Sequence, residues 1–251
     1  MNVDLRLGRW EDVLGDVECD ALIVDAPYSE RTHKAFDGGA IDGGHHDPKY
    51  GHRKVTKAIN YPAWTDADVR ELVQSWSGRT RGWFVSLTDH TLAPVWSDEL
   101  SSAGRYVFPP LPVVEIGSRV RLIGDGPSSW TCWLVVARPR AAPRWGTLAG
   151  AYVYTGKGDR VCMGGKRTDT MRALIRDYSR PGDLVCDPCA GGGTTLLAAA
   201  IEGRRAVGAE MDPEHYHIAQ KRIAKGYTPS LFSTHETAAP QKTLSMFEEK
   251  P

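Results

Sequence analysis

The stretch Asp187-Pro-Cys-Ala-Gly-Gly-Gly-Thr-Thr195 decides the fold, because it joins a short apolar strand to a helix through a cluster of three glycines. The strand is predicted over residues 183–186, and the helix follows the glycines. A second strand is predicted over residues 205–210, and a second helix begins after Asp212 as its cap. Strand, helix, strand and helix at this spacing predict a parallel α/β sheet with right-handed crossovers.

The glycine cluster is also the first candidate for a ligand site. Glycines there let a ligand approach the backbone, and the first N–H groups of the helix are free to bind it. A Walker loop does not fit, because Gly165-Lys166 is followed by Arg167, and the dinucleotide fingerprint needs a small residue where Leu196 stands. Asp187 before the loop suits an ammonium group, and Glu210 at the next strand end suits ribose hydroxyls. S-adenosylmethionine carries both groups; a tight turn without a ligand is the alternative.

Weaker signals organise the rest of the chain. Residues 21–25 form an apolar run that ends in Asp25, which predicts a buried parallel strand. Residues 29–60 lack periodicity and are rich in turn residues, which predicts a long loop. The remaining predicted elements are helices over 65–76, 91–103 and 168–178 and strands over 83–87, 106–116 and 130–137. Residues 137–150 are predicted to be a linker or surface loop, and residues 226–251 a flexible tail.

Composition narrows the class of protein. The chain has 251 residues, zero formal net charge and 41% hydrophobic residues, which excludes disordered and fibrous classes. No apolar run approaches about 18 residues and the N-terminus does not resemble a signal peptide, so a cytoplasmic location without membrane contact is expected. Residues 103–181 hold 13 basic and 5 acidic side chains, a net charge of +8. This basic region is either an ordinary arginine-rich surface or a face for phosphates.

Cysteine and histidine usage does not favour a metal site. The five cysteines are an odd number and form no disulfide framework. Cys186-x-x-Cys189 has no second CxxC partner, and the histidines of residues 29–60 fit no familiar zinc spacing. No metal is therefore expected.

Asp25-Ala26-Pro27-Tyr28 follows the strand predicted over residues 21–25. This tetrapeptide resembles the Asp-Pro-Pro-Tyr motif of amino-group DNA methyltransferases, with Ala26 in place of the first proline. The glycine stretch resembles the cofactor motif of that family, and Lys166 matches its usual upstream lysine. The catalytic motif comes first, as in the permuted β-class. The resemblance covers residues 3–28 and 160–224 well and the middle of the chain loosely.

The resemblance implies a class I S-adenosylmethionine-dependent methyltransferase fold, Rossmann-like, with a mostly parallel sheet and helices on both faces. The methyltransferase domain would span residues 1–225, with 29–60 as a mobile substrate loop and 105–160 as a small DNA-contacting region. The implied activity is methylation of the N6 of a flipped adenine in DNA, with short or relaxed sequence specificity, in a bacterial or phage-encoded enzyme, including those of restriction–modification. Asp25 resembles the adenine members, because cytosine members usually carry Ser there.

Three alternatives stay open. One is N4-cytosine methylation. Another, suggested by Ala26, is a catalytically weakened DNA-binding or clamp-associated protein that keeps the fold. A nicotinamide dehydrogenase is the third, and Leu196 disfavours it.

The chemistry of amino methylation explains the motif residues. The lone pair of an exocyclic amino group is delocalised into the ring, so the site must hold both amino hydrogens. The Asp25 carboxylate accepts one of them and the Ala26 carbonyl the other, while Pro27 stiffens the turn. Tyr28 offers a ring for the extruded base, worth about 1–3 kcal/mol of stacking. Extruding the base costs a few kcal/mol.

The remaining expectations concern contacts and partners. The implied cofactor contacts are Lys166, Thr168, Asp187, Pro188, Cys189, Ala190, Gly191, Gly193, Thr194, Thr195, Glu210 and Met211. The expected DNA contacts are Arg31, Lys34, Arg53, Lys54, Arg119, Arg121, Arg138 and Arg140. Duplex DNA is the expected partner, and a homodimer is open. Gln241–Phe247 in the tail resembles the peptide that docks on bacterial sliding clamps; an apolar anchor is the alternative.

Overall fold

The computed structural model describes residues 2–37, 61–116, 130–141, 145–155, 158–162 and 164–226. Its strands are β1 (Val3–Leu7), β2 (Ala21–Asp25), β3 (Phe84–Thr88), β4 (Arg105–Val107), β5 (Leu111–Ile116), β6 (Thr131–Pro139), β7 (Tyr152–Thr155), β8 (Leu184–Asp187) and β9 (Arg205–Glu210). Its helices are α1 (Trp10–Val13), α2 (Glu30–Asp37), α3 (Asp66–Ser77), α4 (Ala93–Ser102), α5 (Thr168–Tyr178), α6 (Thr194–Ile201) and α7 (Pro213–Lys225).

Within these described ranges the strands form one nine-stranded sheet in the order β1-β9-β8-β2-β3-β6-β5-β7, with β4 paired to β6 beside this path. The strands β1, β9, β8, β2 and β3 are parallel to one another. β6 runs antiparallel to β3, β4 and β5, and β7 is parallel to β5. The predicted mostly parallel sheet is therefore confirmed, with the antiparallel pairings confined to one side.

Helices cover both faces of the sheet, and β2 shows how the sequence achieves this. Successive side chains of a strand point to opposite faces. Leu22 and Val24 pack with α3 and α4 in one apolar cluster. Ala21 and Ile23 pack with α5 and α6 in the other. A strand buried on both faces reads as a continuous apolar run, which is why β2 could be predicted from sequence.

The prediction of an aperiodic loop over residues 29–60 is wrong at its beginning, because α2 occupies Glu30–Asp37. Its first turn is held from a distant strand. Asp89, directly after β3, accepts hydrogen bonds from the Ser29 amide at 3.0 Å and the Thr32 hydroxyl at 2.5 Å. A helix start fixed by a residue 60 positions away leaves no local signal. Residues 38–60 lie outside the described ranges.

Other element boundaries also differ from the predictions. The strand predicted over residues 106–116 is two strands, β4 and β5, because Pro109 and Pro110 lack the N–H groups that a ladder needs. β6 continues to Pro139, into the predicted linker. The edge strands β1 and β7 and the short helix α1 were not predicted. By contrast, α5 and β9 have the predicted bounds.

Two further expectations concern membranes and the tail. Among the helices in the described ranges, none combines the length and the apolar character that a bilayer crossing requires. The tail beyond Gly226, with the clamp-like segment Gln241–Phe247, lies outside the described residues.

Candidate active site

The carboxyl ends of the parallel strands meet at one edge of the sheet, and three acidic side chains lie there. β2 ends at Asp25, β8 at Asp187 and β9 at Glu210. These carboxylates face one cavity of about 420 Å³, which falls in the range typical of small-molecule sites. Ligands in open α/β sheets bind in the crevice outside these strand ends. The sequence motifs are therefore brought together at the edge where the fold places ligands.

The glycine loop forms one wall of the cavity and is fixed to β9. The Ala190 amide donates to the Ala209 carbonyl at 2.9 Å, and the Gly191 amide donates to Glu210 Oε2 at 2.7 Å. The Asp212 amide donates to Glu210 Oε1 at 2.7 Å. Glu210 thus holds the loop and the start of α7 together, and each of its oxygens keeps a lone pair for a ligand hydroxyl.

Asp187 lies at the bottom of this wall and is almost completely buried. It accepts a hydrogen bond from the Cys189 amide at 3.0 Å. Burial raises the pKa of the Asp187 carboxyl to about 7, although hydrogen bonds from Thr195 and Cys189 oppose this shift. The negative charges of Asp25 and Glu210 raise that pKa further. A cation in the cavity would favour the ionised forms of Asp25 and Asp187.

Asp25 is paired with Lys166, which comes from the segment before α5. Lys166 Nζ lies 2.7 Å from Asp25 Oδ1, and their side chains are 10% and 20% exposed. The same ammonium lies 4.7 Å from the ring centroid of Tyr28. Burial raises the pKa of the Asp25 carboxyl, and the charge of Lys166 opposes that shift. The expected cofactor contact Lys166 therefore lies against the predicted catalytic motif.

Aromatic side chains also line the cavity, and sequence reasoning missed most of them. The Trp64 amide donates to the Tyr28 carbonyl at 3.0 Å, which fixes the segment before α3 beside the motif. Tyr61 lies edge-on to His33, with ring centroids 5.4 Å apart. A side chain at Gly164 would come within 2.6 Å of the Tyr61 hydroxyl. Trp10, which follows β1, also lines the cavity. Because β1 was not predicted from the sequence, the position of Trp10 near the cavity could not be predicted either.

Most predicted site residues line this cavity. They are Asp25, Ala26, Pro27, Tyr28, Lys166, Asp187, Pro188, Cys189, Ala190, Gly191, Thr194, Thr195, Glu210 and Met211. Two expected cofactor contacts lie outside the lining. Thr168 is buried at the start of α5, where its amide donates to Asp159 Oδ1 at 2.8 Å. Gly193 packs against α7, where an added side chain would lie 2.9 Å from the Cβ of Ala219.

The expected DNA contacts do not all lie at this edge. Arg31 is exposed on α2, directly after the motif. Arg138 lies at the opposite end of the sheet, because β6 is antiparallel to β3 and Ala137 pairs with Phe84 at the beginning of β3. It lies 5.0 Å from the Tyr106 ring centroid. Arg140 follows it, so neither arginine shares the edge of the cavity. The remaining predicted contacts lie outside the described residues or have undescribed side chains: Lys34, Arg53, Lys54, Arg119 and Arg121.

Within the described ranges, no group of histidine, cysteine and acidic side chains is arranged to hold a metal ion. None of the five cysteines, all of which lie in the described ranges, forms a disulfide.

Comparison with known proteins finds sequence similarity in the part of the chain that contains the glycine loop. The family model described as DNA methylase matches residues 166–221. A protein of Escherichia coli (strain K12) named as a methylase, YubD, is 30% identical over 93 residues, covering 37% of this chain and 41% of YubD. Type II methyltransferase M.MthZI of Methanothermobacter thermautotrophicus is 46% identical over 50 residues, covering 20% of this chain and 14% of that protein. The chain thus spans less than half the length of these curated relatives.

Solved structures extend the likeness at the level of fold. The crystal structure of the M1.HpyAVI–SAM complex superposes with a TM-score of 0.64 at 17% identity, covering 88% of this chain and 99% of that one. PvuII DNA methyltransferase (cytosine-N4-specific) superposes with a TM-score of 0.57 at 13% identity, covering 88% and 86%. The fold is the Rossmann-like class I methyltransferase fold. The match over residues 166–221 shows that this part of the chain is similar to DNA methylases, and the solved structures show that the fold is shared.

Proposed function

We propose that the protein transfers a methyl group from S-adenosylmethionine to the exocyclic N6 of an adenine extruded from DNA. The observation that carries this proposal is the position of the Asp25 carboxylate in the same cavity as the glycine loop, Asp187 and Glu210. An acceptor for amino hydrogens and a site for an adenosyl cation thereby share one space. The sequence motifs suggest amino-group binding and cofactor binding separately. The residues of both motifs line the same cavity, which supports the two roles together.

The cofactor end of the cavity fits a cationic adenosyl ligand. Asp187 and Glu210 face the cavity beside the glycine loop, and a sulfonium with an ammonium group would compensate their charge. Glu210 has acceptor capacity for the ribose hydroxyls, and Asp187 would pair with the ammonium. Met211, which is 55% exposed at the cavity mouth, would pack on the adenine of the ligand. The bound cofactor supplies an activated methyl group, and these residues hold it in place.

The other end of the cavity fits the amino group of a base. The Asp25 carboxylate would accept one amino hydrogen and the Ala26 carbonyl the other, which turns the nitrogen lone pair toward the methyl group. Because the second acceptor is a backbone carbonyl, alanine at position 26 retains it. Tyr28 would stack on the extruded base. Positioning and exclusion of water then contribute most of the acceleration.

The preference for adenine rests on Asp25 at the first motif position, where the resemblance favours the adenine-N6 members. Duplex DNA is the proposed substrate, and its target base must be extruded, because a buried acceptor pair requires an amino group that has left the base stack.

Nucleoside mass spectrometry tests the proposal. The protein is incubated with S-adenosylmethionine and unmethylated DNA, in duplex and single-stranded form, and the nucleosides are analysed after digestion. N6-methyladenine is expected with the natural chain and with Asp16→Ala, an exposed acid outside the cavity, but not with Asp25→Ala. N4-methylcytosine would overturn the choice of base. DNA that binds the protein but carries no modified nucleoside would favour a weakened DNA-binding protein.

A further inference from the structure

We propose that Lys166 is a positioning residue that occupies the amino-group position beside Asp25 and keeps that carboxylate ionised and aimed until the target base replaces it. This inference rests on the proposed function, because it assumes that Asp25 receives the amino group. It departs from the family resemblance, which placed Lys166 among the cofactor contacts.

The first support is geometric. Lys166 Nζ donates to Asp25 Oδ1 at 2.7 Å and lies 4.7 Å from the Tyr28 ring centroid. In the proposed complex the exocyclic amino group would bind the same carboxylate, and its base would stack on the same Tyr28 ring. The ammonium is also a nitrogen donor of similar size. Lys166 therefore lies beside Asp25 and Tyr28, where the target amino group would bind.

The second support is electrostatic. Asp25 faces the following titratable groups: Lys166, Arg160, Tyr28, Asp187, Cys162 and Cys189. Lys166 is the group that touches Asp25 Oδ1, whereas Arg160 is engaged with Glu115. Burial disfavours the charged form of Asp25, and the nearby Asp187 adds a like charge. Without Lys166 the carboxyl group would hold its proton to a higher pH, and the protonated group would be a weaker acceptor for an amino hydrogen than the carboxylate.

The third support is a second acceptor beside the ammonium. The Gly164 carbonyl lies 3.4 Å from Lys166 Nζ. When the amino group takes the position at Asp25, the ammonium can move toward this carbonyl. Its withdrawal also suits the chemistry, because the attacking nitrogen gains positive charge and an adjacent ammonium would oppose that gain.

The decisive experiment measures the protonation of Asp25 directly, without DNA or cofactor. The carboxyl signals of ¹³C-labelled aspartate are followed by NMR against pH, and Asp25 is assigned by the signal lost in Asp25→Asn. The variants are Lys166→Met, which removes donor and charge, Lys166→Gln, which keeps a donor, and Lys166→Arg, which keeps the charge. Arg176→Met is the matched control, since it removes an exposed cation on α5 that pairs with Glu202.

We expect the titration midpoint of Asp25 to rise by about 1–3 pH units in Lys166→Met and Lys166→Gln, and to stay near the natural value in Lys166→Arg and Arg176→Met. An unchanged midpoint in both uncharged variants would overturn the proposal. This readout is independent of activity, so it stands even if the methylation assay fails.

Activity and ligand binding then separate positioning from cofactor contact. With saturating S-adenosylmethionine, the acid limb of the kcat profile of Lys166→Met should move to higher pH by the same amount, while its plateau rate and cofactor Kd change less than about threefold. A uniform loss of rate at every pH, together with weaker cofactor binding, would show that Lys166 contacts the cofactor instead.

Discussion

The Asp187 carboxyl changes its protonation state near neutral pH, because burial raises its pKa to about 7. An unfolded aspartate titrates near 3.8. The folded chain therefore binds a proton more readily between pH 4 and 7. The contribution of this carboxyl to the free energy of unfolding falls as the pH rises through that window and is level above it.

The same equilibrium predicts pH-dependent cofactor binding. Only the ionised Asp187 carboxylate can pair with a ligand ammonium, so the affinity for S-adenosylmethionine should rise about tenfold between pH 6 and pH 8. Isothermal titration calorimetry measures this directly. Asp187→Asn should bind more weakly and lose the pH dependence. A natural protein with constant affinity across the window, or a variant that follows the same curve, would contradict the role given to Asp187.

At the scale of elements, two features restrict the residue at position 193: the backbone conformation of the glycine loop and the close contact of that loop with α7. Gly193 has a φ of 73°, and an added Cβ would lie 2.9 Å from the Cβ of Ala219. Gly203 has a similar φ of 77° with open space around it. The two glycines therefore share the backbone requirement but differ in packing.

Replacing each of these glycines with alanine separates the two effects. Gly203→Ala should lower the free energy of unfolding by about 1–2 kcal/mol, which is the cost of a left-handed alanine. Gly193→Ala should cost roughly 1–3 kcal/mol more, because α6 and α7 must move apart. Urea denaturation measures both. Equal losses would mean that the contact with Ala219 relaxes freely.

Asp89 links α2 to the sheet, and its removal should release that helix. Its carboxylate accepts from Ser29 and Thr32 on one side and from the Thr91 and Leu92 amides on the other. Burial opposes ionisation of Asp89, but these hydrogen bonds outweigh it and hold its pKa below the usual value. The stability that it supplies is therefore present above about pH 4 and is lost as the pH falls through the lowered pKa.

We expect Asp89→Ala to lower the free energy of unfolding by about 2–4 kcal/mol and to speed hydrogen exchange at the Thr32 and Leu92 amides. Asp98→Ala, at an exposed position of α4, should change it by less than about 0.5 kcal/mol. Exchange rates unchanged in Asp89→Ala would show that α2 is held by other contacts.

These elements also show how much of the fold and of the site can be predicted from the sequence. Local signals, namely apolar runs, caps and glycine turns, predict the bounds of α5 and β9. They also predict that Asp25, Asp187 and Glu210 lie at strand ends. β1 and β7 are edge strands whose pairing partners lie far along the chain, so their short sequences carry little signal. For the same reason the aromatic wall was missed, because Trp10 and Tyr61 reach the cavity only through the tertiary fold.

At the scale of the whole molecule, basic residues that belong to one segment of the sequence lie at opposite ends of the sheet. The net +8 of residues 103–181 left open an ordinary arginine-rich surface or a face for phosphates. Two arginines of this region, Arg138 and Arg140, lie at the end of the sheet opposite the cavity, whereas Lys166 of the same region lines the cavity. Arg31, outside this region, is exposed on α2 next to Thr32 of the cavity lining. A substrate that reaches Asp25 approaches the edge that carries Arg31.

This division predicts different effects on DNA. Arg31→Gln should raise the KM for DNA several-fold and lower the salt dependence of binding by about one unit of slope, as for loss of one phosphate contact. Arg138→Gln should leave both unchanged. Fluorescence anisotropy at several salt concentrations, with initial-rate assays, measures the two quantities. If Arg138→Gln weakens binding as much as Arg31→Gln, the DNA contacts both ends of the sheet.

One measurement tests most directly whether a single cavity holds both the methyl donor and the target base at Asp25. Radiolabelled S-adenosylmethionine is bound to the natural protein or to Asp25→Asn, its Kd is determined, and methyl transfer to DNA is followed in a single turnover. We expect the variant to keep the cofactor Kd within about threefold while its transfer rate falls at least about a hundredfold. Transfer by Asp25→Asn at the natural rate would contradict a role for Asp25 in the reaction.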